Sequence, residues 1–372
     1  MTIELGAFLR TTLPLGLDAL ADCDSGRYHS VWLPDHMVSF WPDSIWTPEF
    51  TDLAVSSPSP HRHLDAMAVA GTVAAMTSRV PIATLVVDTV RRHPAMLAQT
   101  ALTLSHLSKG RFILGLGSGE LENIVPYGFE FSKPVGRLEE ALQVIRLLWE
   151  SNGPVDFNGR FFRLEHARMD TEPFEGKFPP IYMAAGGPRA LDILGRYADG
   201  WFPGAIRSPE HYAENLGIIH RSAEQAGRDP DAIVPVFMAS CFLGEEDELD
   251  EMLSAPLLKS YVLQIEAADL RSVGFEHPMG PDWKGIHDID PARLTRDVLL
   301  DMLERTTPEM LKAWVPHGSP ETIARYFKQY ADAGARVLKI LDYGGMAGTR
   351  FAARSARLTR EAEDAVLRMC NG

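Results

Sequence analysis

The chain is poor in cysteine and in basic charge, and each shortage excludes a class of protein. It has three cysteines in 372 residues, Cys23, Cys241 and Cys370, and none stands in a C-x-x-C spacing. Neither a disulfide framework nor a structural zinc site is therefore expected. Lysine and arginine total 36 against 50 acidic residues, a net charge of −14. This balance argues against a phosphate-binding surface, and so against nucleic acid as a partner.

Long apolar runs are missing as well. No run approaches the roughly 18 residues that span a bilayer, so no membrane span is expected. The first residues also lack the basic and apolar regions of a signal peptide. We therefore expect a cytoplasmic protein that acts on a small molecule.

What the sequence does contain is a regular alternation of strand and helix patterns. Proline marks several of the predicted helix starts, as is common in the first turn. Eight such units favour a closed (β/α)8 TIM barrel over an open doubly wound sheet. The predicted strands cover residues 3–9, 30–33, 80–87, 112–117, 181–184, 200–202, 233–242 and 337–341, and the predicted helices cover 14–23, 61–75, 94–108, 138–149, 188–197, 209–226, 320–333 and 353–369.

Three segments interrupt this alternation. Residues 40–60 form a loop rich in Pro, Ser and Trp, and residues 243–319 form a helix-rich insertion. The Asn158-Gly159 pair lies between two extended runs in 155–164, which predicts a surface hairpin with a type I′ turn. We interpret residues 1–372 as a single TIM-barrel domain, with 40–60 as the active-site loop.

Two possible proton carriers follow predicted barrel strands, at the end of the barrel where active sites lie. Asp35-His36 follows the second strand, and histidine suits general acid–base chemistry near neutral pH. A structural pair that caps a loop is the alternative interpretation. Glu120 follows the fourth strand, and burial would make it a proton donor by raising its pKa. His36 and Glu120 are therefore the predicted catalytic residues.

The glycine-rich segment 114–120 (LGLGSGE) does not fit the nucleotide fingerprint. A G-x-G-x-x-G motif that starts at Gly115 requires glycine where Glu120 stands. Either a simple tight turn or a turn that cradles a ligand remains. His61 and His63 lack a local third ligand, so a solvated helix start is preferred and no metal site is predicted.

The aromatic residues of the 40–60 loop allow two interpretations. They either form a wall over a flat ring or an apolar substrate, or they only pack the loop. The sequence leaves both open for Phe40, Trp41, Trp46 and Phe50.

Taken together with 182–188 (YMAAGGP), these motifs resemble the bacterial luciferase-like superfamily, and within it the branch that uses the deazaflavin coenzyme F420. The resemblance runs nearly end to end and includes 92–95 (RHPA), 197–200 (YADG) and 318–320 (GSP). It implies that F420 lies across the barrel mouth, with a non-prolyl cis bond near Thr84-Leu85 behind its ring. FMN is the alternative cofactor.

The resemblance also implies roles for individual residues. His36 and Glu120 would move protons during hydride transfer, and Trp41 and Arg207 would contact the substrate. The implied cofactor-binding residues are Asp35, Thr84, Leu85, Gly117, Ser118, Gly119, Asn123, Ala184, Ala185, Gly186 and Gly187.

The tract 276–285 looks similar to the phthiodiolone dimycocerosate ketoreductases, and this similarity implies a ketoreductase. Arg207 alone matches the basic residues that F420-dependent sugar-phosphate dehydrogenases use. Four alternatives stay open: such a dehydrogenase, an enzyme like methylenetetrahydromethanopterin reductase, an FMN-dependent monooxygenase, and a non-catalytic deazaflavin-binding protein. Relatives are often dimers, so a homodimer is expected.

Overall fold

The chain folds around a closed parallel barrel, as seen in a computed structural model that describes residues 2–290 and 293–372. Each barrel strand pairs in parallel with the next, and the last pairs with the first. The barrel strands are β1 Glu4–Phe8, β2 Tyr28–Leu33, β3 Ile82–Thr84, β4 Phe112–Gly117, β5 Ile181–Ala185, β6 Gly200–Pro203, β7 Val234–Leu243 and β8 Val337–Asp342.

A helix follows each strand, so the predicted TIM barrel is confirmed. Five of these helices begin with proline, whose fixed φ and missing N–H suit the first helical turn. The barrel helices are α1 Leu20–Cys23, α2 Ala66–Met76, α3 Pro94–Ser108, α4 Pro134–Glu150, α5 Pro188–Tyr197, α6 Pro209–Gln225, α7 Pro320–Asp332 and α8 Thr349–Asn371.

The barrel interior is filled by side chains rather than open. Trp32 and Phe202 pack edge to face across it, with ring centroids 5.2 Å apart. The side chains of this layer are buried from water because they fill the barrel interior. Above it, near the carboxyl ends of the strands, three side chains are only partly buried: Leu85, Val86 and Ala184.

The 243–319 insertion is helix-rich, as predicted. It forms a second hydrophobic cluster together with Phe40, Trp41, Trp46 and Phe50 of the 40–60 loop. The two segments that interrupt the barrel therefore pack on each other. The α-helices of the insertion are Glu246–Leu253, Pro256–Lys259, Ala267–Ser272, Arg296–Arg305 and Pro308–Trp314.

Two predicted elements have different bounds. The first helix begins well after Pro14, because Leu13 donates a backbone hydrogen bond to Arg62 and keeps that stretch extended. The third strand is broken into Ile82–Thr84 and a two-residue strand, Val87–Asp88. A cis peptide bond between Leu85 and Val86 lies at the break.

The hairpin turn prediction is wrong. The strands Val155–Asn158 and Arg163–Ala167 do pair, but Asn158 pairs with Arg163, which leaves a four-residue loop. The Gly159 N–H donates to Phe162 O at 3.0 Å. The Glu140 carboxylate accepts three backbone N–H groups of this loop, and it holds the loop open where a type I′ turn would close it.

Within the described residues, no helix combines the length and the apolar composition that crossing a bilayer requires.

Candidate active site

Two predicted residues, His36 and Glu120, come together at the carboxyl ends of β2 and β4. His36 Nδ1 lies 3.3 Å from Glu120 Oε2. Asn123 joins them, because its Nδ2 lies 3.2 Å from His36 Nδ1 and 3.2 Å from Glu120 Oε2. An imidazole, a carboxyl and an amide thus form one polar group where a barrel enzyme carries its site.

The orientation of Asn123 is fixed by the loop after β2. Its Oδ1 accepts the backbone N–H of Met37 at 2.6 Å and that of Val38 at 3.0 Å. An oxygen is required at that position, so the amide nitrogen must face His36 and Glu120. Asn123 is therefore both a bridge between the loops and a donor to the cluster.

Sequence reasoning missed Glu122, which is the most deeply buried acid of this cluster at 1% exposure. Its Oε1 accepts a hydrogen bond from Asn123 Nδ2 at 3.1 Å, whereas its Oε2 receives none from the described residues. Burial, followed by repulsion from Glu120, raises the pKa of Glu122 from 4.5 to about 8. Burial and the neighbouring acid thus both favour the protonated form of this carboxyl.

His61 and His63 are half-buried beside His36, so the predicted solvated helix start is wrong. The His63 ring lies 5.6 Å from the His36 ring, and burial, followed by the charges of His36 and His61, lowers its pKa to about 4. His61 Nδ1 accepts the Ser39 N–H at 2.9 Å, and its Nε2 lies 3.1 Å from Asp43 Oδ2.

Asp35 is buried between two arginines. Arg91 Nη2 donates to Asp35 Oδ2 at 2.9 Å, and Arg92 Nη2 donates to Asp35 Oδ1 at 3.0 Å. Arg91 also pairs with Asp88, and Arg92 with Asp65 at 2.8 Å. Both Asp35 oxygens are occupied, so this side chain joins the loops after β2 and β3. Its contact with a cofactor ring stays a prediction.

Thr84 is buried in the barrel wall. Its hydroxyl donates to Gly115 O and accepts the Gly115 N–H, both at 2.9 Å. The non-prolyl cis bond expected near Thr84-Leu85 lies one residue later, between Leu85 and Val86. Leu85 and Val86 are partly buried at the barrel mouth, and they are better placed than Thr84 to meet a ligand.

Packing accounts for Gly117, the last residue of β4, and for Gly119 in the turn that follows. A Cβ on Gly117 would lie 2.5 Å from Val86 Cγ2. Gly119 has a φ of +90°, and its Cβ would lie 2.4 Å from Ile124 Cδ1. Ser118 lies between them and is partly exposed. The tight-turn interpretation therefore has a physical basis, and a cofactor cradle at Gly117, Ser118 and Gly119 stays a prediction.

The end of β5 presents a second candidate surface. Ala184 faces the barrel interior, whereas Ala185 faces the layer between barrel and helices. A Cβ on Gly186 would lie 3.3 Å from Gly204 Cα, and one on Gly187 would meet open space before α5. Of the two alanines, only Ala184 directs its side chain toward the mouth.

The two predicted substrate residues lie on the insertion side. Trp41 packs against Tyr343, with ring centroids 5.9 Å apart. Arg207 Nε lies 3.3 Å from Asp269 Oδ1, and its Nη2 lies 3.9 Å from Glu266 Oε2. Arg207 is therefore engaged by the insertion, and its contact with substrate stays a prediction.

Comparison with known proteins agrees with this architecture. A family model described as luciferase-like monooxygenase matches residues 24–337. A phthiodiolone/phenolphthiodiolone dimycocerosates ketoreductase of Mycobacterium kansasii is 36% identical over 317 residues, which are 84% of this chain and 86% of that protein. An F420-dependent glucose-6-phosphate dehydrogenase of Kineococcus radiotolerans is 29% identical over 306 residues, 78% of this chain and 80% of that protein.

A solved structure shares the fold. The F420-dependent secondary alcohol dehydrogenase in complex with an F420-acetone adduct aligns with a TM-score of 0.71 at 22% identity, covering 98% of this chain and 99% of that one. A parallel barrel with acid, imidazole and amide groups at its carboxyl end defines a TIM-barrel enzyme. The chain belongs to the luciferase-like monooxygenase family and is an oxidoreductase, which confirms the predicted family.

Proposed function

We propose that the protein transfers a hydride between coenzyme F420 and a carbonyl or alcohol substrate, and that it works as a ketoreductase. The observation that carries this proposal is the cluster of His36, Glu120 and Asn123 at the carboxyl end of the barrel, where Leu85, Val86 and Ala184 are partly buried. Hydride transfer to a ketone needs one proton, which groups of this kind supply. It also needs a flat apolar surface for the ring that carries the hydride.

The barrel mouth fits a deazaflavin. Leu85, Val86 and Ala184 offer a partly buried apolar face at the end of the barrel interior. Open space in front of Gly187, at the start of α5, suits an anionic tail, because helix N-termini favour negative charge. When bound, reduced F420 supplies the hydride. The residues that would hold it are those of the turns after β3, β4 and β5.

The protein's own contribution is to position the substrate and deliver a proton. We assign the donor role to His36, because its ring lies next to Glu120 and is half-buried. Glu120 orients the imidazole through the contact of its Oε2 with His36 Nδ1. Asn123 holds the loops after β2 and β4 together. Phe40 packs edge to face on His36, with ring centroids 5.4 Å apart, and restricts the motion of that ring.

A ketone is favoured over a sugar phosphate as substrate. Arg207, the matching basic residue, is already paired with Asp269. The ketoreductase is also more similar to this chain, at 36% identity, than the sugar-phosphate dehydrogenase at 29%. One alternative function is supported by the description of the matching family, luciferase-like monooxygenase. This alternative is an FMN-dependent monooxygenase, which would need oxygen.

An anaerobic assay tests the proposal. Oxidation of reduced F420 is followed with a panel of ketones and with a sugar phosphate. We expect ketone-dependent oxidation that falls by about 10²–10⁴-fold in H36A and E120Q, because positioned proton transfer is lost. The exposed H166A and E165Q variants are matched controls. Unchanged turnover in both H36A and E120Q would contradict the assignment, and cofactor binding without any transfer would indicate a binding protein.

We also propose that the chain is a cytoplasmic homodimer and that each chain folds as one domain. The hydrophobic cluster formed by residues 40–60 and 243–319 also contains Phe242 of β7 and Phe351 of α8, which supports a single folding unit. Light scattering after gel filtration measures the dimer, and a single cooperative unfolding transition is expected of one domain.

A further inference from the structure

The Asn123 amide carries too few hydrogens to serve all the carboxyl oxygens of Glu120 and Glu122. Its Nδ2 carries two hydrogens. Two carboxylate oxygens accept from that nitrogen, Glu120 Oε2 at 3.2 Å and Glu122 Oε1 at 3.1 Å. The amide cannot be flipped to change this, because the Met37 and Val38 N–H groups require its oxygen on the other side. Both hydrogens are therefore committed, and none is left for Glu122 Oε2, which has no hydrogen-bond partner among the described residues.

The charges of the two carboxyl groups favour an additional proton. One ligand atom each from His36, Glu120 and Glu122 lies within 4.8 Å of the others. Two ionised carboxylates at that spacing, one of them buried, repel each other strongly. A proton held by one of the two carboxyl groups removes this repulsion.

The arginines of the neighbouring loops already form ion pairs with other acidic residues. Arg91 pairs with Asp35 and Asp88, and Arg92 pairs with Asp35 and Asp65.

The two histidines that precede α2 do not neutralise the charge of Glu120 and Glu122 either. Burial and the charges of its neighbours keep His63 neutral by lowering its pKa to about 4. His61 lies beside Asp43.

The extra proton has a specific place. Glu122 Oε2 is buried and receives no hydrogen bond from any described donor, although a buried carboxylate oxygen requires one. An oxygen that carries the proton itself becomes a donor. Burial and the nearby Glu120 charge raise the pKa of Glu122 to about 8, which agrees with a proton held there at neutral pH.

We propose that Glu120 and Glu122 share one proton, and that Glu120 delivers this proton to His36 Nδ1, 3.3 Å away, while the other ring nitrogen of His36 gives its proton to the product alkoxide. One proton enters the imidazole as one leaves it, so the ring stays neutral and the carboxyl pair is left one proton short. The pair regains its proton from water at Glu120, whose side chain is 38% exposed. The net change is one proton taken from solvent per hydride delivered. Glu122 is thus a positioning residue that acts through Glu120.

The role in turnover rests on the proposed function, whereas the shared proton does not. Infrared difference spectra of the resting protein, between pH 6.5 and pH 9.5, test the proton directly. Wild type is expected to lose a carboxylic acid band with a midpoint near pH 8, and E122Q is expected to lack it. E165Q, which changes an exposed glutamate, should keep it. A wild-type spectrum identical to that of E122Q would overturn the proposal.

A second measurement tests the relay. In ketone reduction by reduced F420, E122Q should lower kcat by about 10²-fold, the smaller end of what positioned proton transfer contributes, with KM little changed. It should also remove the fall of kcat above about pH 8 that wild type shows, and E122D should restore part of the activity. A normal pH profile in E122Q would overturn the relay. An infrared band without F420 activity would refute the proposed function and leave the proton pair intact.

Discussion

The Asn123 side-chain oxygen accepts the Met37 backbone N–H at 2.6 Å, and this bond ties the loop after β4 to the loop after β2. Because both candidate proton carriers lie on these loops, one amide sets their spacing. N123A should therefore lower both stability and turnover. Loss of a buried hydrogen-bonding group costs about 1–3 kcal/mol, measurable by urea unfolding. N123D keeps the oxygen but faces two acids, so it should retain less activity than N123A. Wild-type turnover in both variants would contradict this account.

The pKa of Glu122 predicts how stability depends on pH. Below pH 4.5 the carboxyl is protonated in both folded and unfolded chains. Between there and about pH 8 only the folded chain keeps the proton, so the folded state loses stability as pH rises. The loss is at most about 1.4 kcal/mol per pH unit.

E122Q cannot ionise and avoids this loss. Urea unfolding at pH 5, 6.5 and 8 should show E122Q gaining on wild type as pH rises. A constant difference between the two proteins would show that Glu122 is already ionised in the folded state.

Gly117 is required by Val86. An added Cβ would lie 2.5 Å from Val86 Cγ2, so G117A should displace the 85–86 segment and cost about 1–3 kcal/mol through overpacking. Cofactor affinity should fall with it. Gly16 is the matched control, because a Cβ there meets open space. The double variant G117A/V86A should recover part of the loss, and no recovery would show that the strain lies elsewhere.

The ion pair between Arg207 and Asp269 allows a test of whether Arg207 holds the insertion in place, as a tether, or contacts the substrate. If Arg207 holds the insertion in place, R207A and D269N should change the KM for ketone alike. The change should be up to about fivefold, the equivalent of the roughly 1 kcal/mol that an exposed ion pair contributes. A KM that rises only in R207A would contradict the tether and favour direct substrate binding.

Local patterns predicted the barrel well. Proline marked the starts of α3, α5, α6 and α7, and the apolar runs of β4 and β5 were evident because they are buried on both sides. Interruptions within a strand were harder to predict. The third strand looks continuous in sequence, and the cis bond at Leu85-Val86 has no local signal beyond the resemblance.

The site was predicted only in part, for the same reason. His36 and Glu120 follow strands, so the barrel rule finds them, whereas Asn123 was implied only by the family resemblance. Glu122 lies two residues after Glu120 in a polar turn, where nothing distinguishes a buried acid from an exposed one. Its burial comes from contact between loops that are far apart in the chain, as in the 86-residue separation of Met37 and Asn123. Local periodicity carries no information about such a contact.

The central claim is that the barrel mouth selects a deazaflavin. Parallel titrations of the purified protein with F420 and with FMN, followed by tryptophan fluorescence quenching, measure it most directly. We expect F420 to bind at least about tenfold more tightly, a difference of about 1.4 kcal/mol, and G117A to narrow the gap while G16A does not. FMN binding as tight as that of F420, or tighter, would contradict the account and favour oxygen-dependent chemistry.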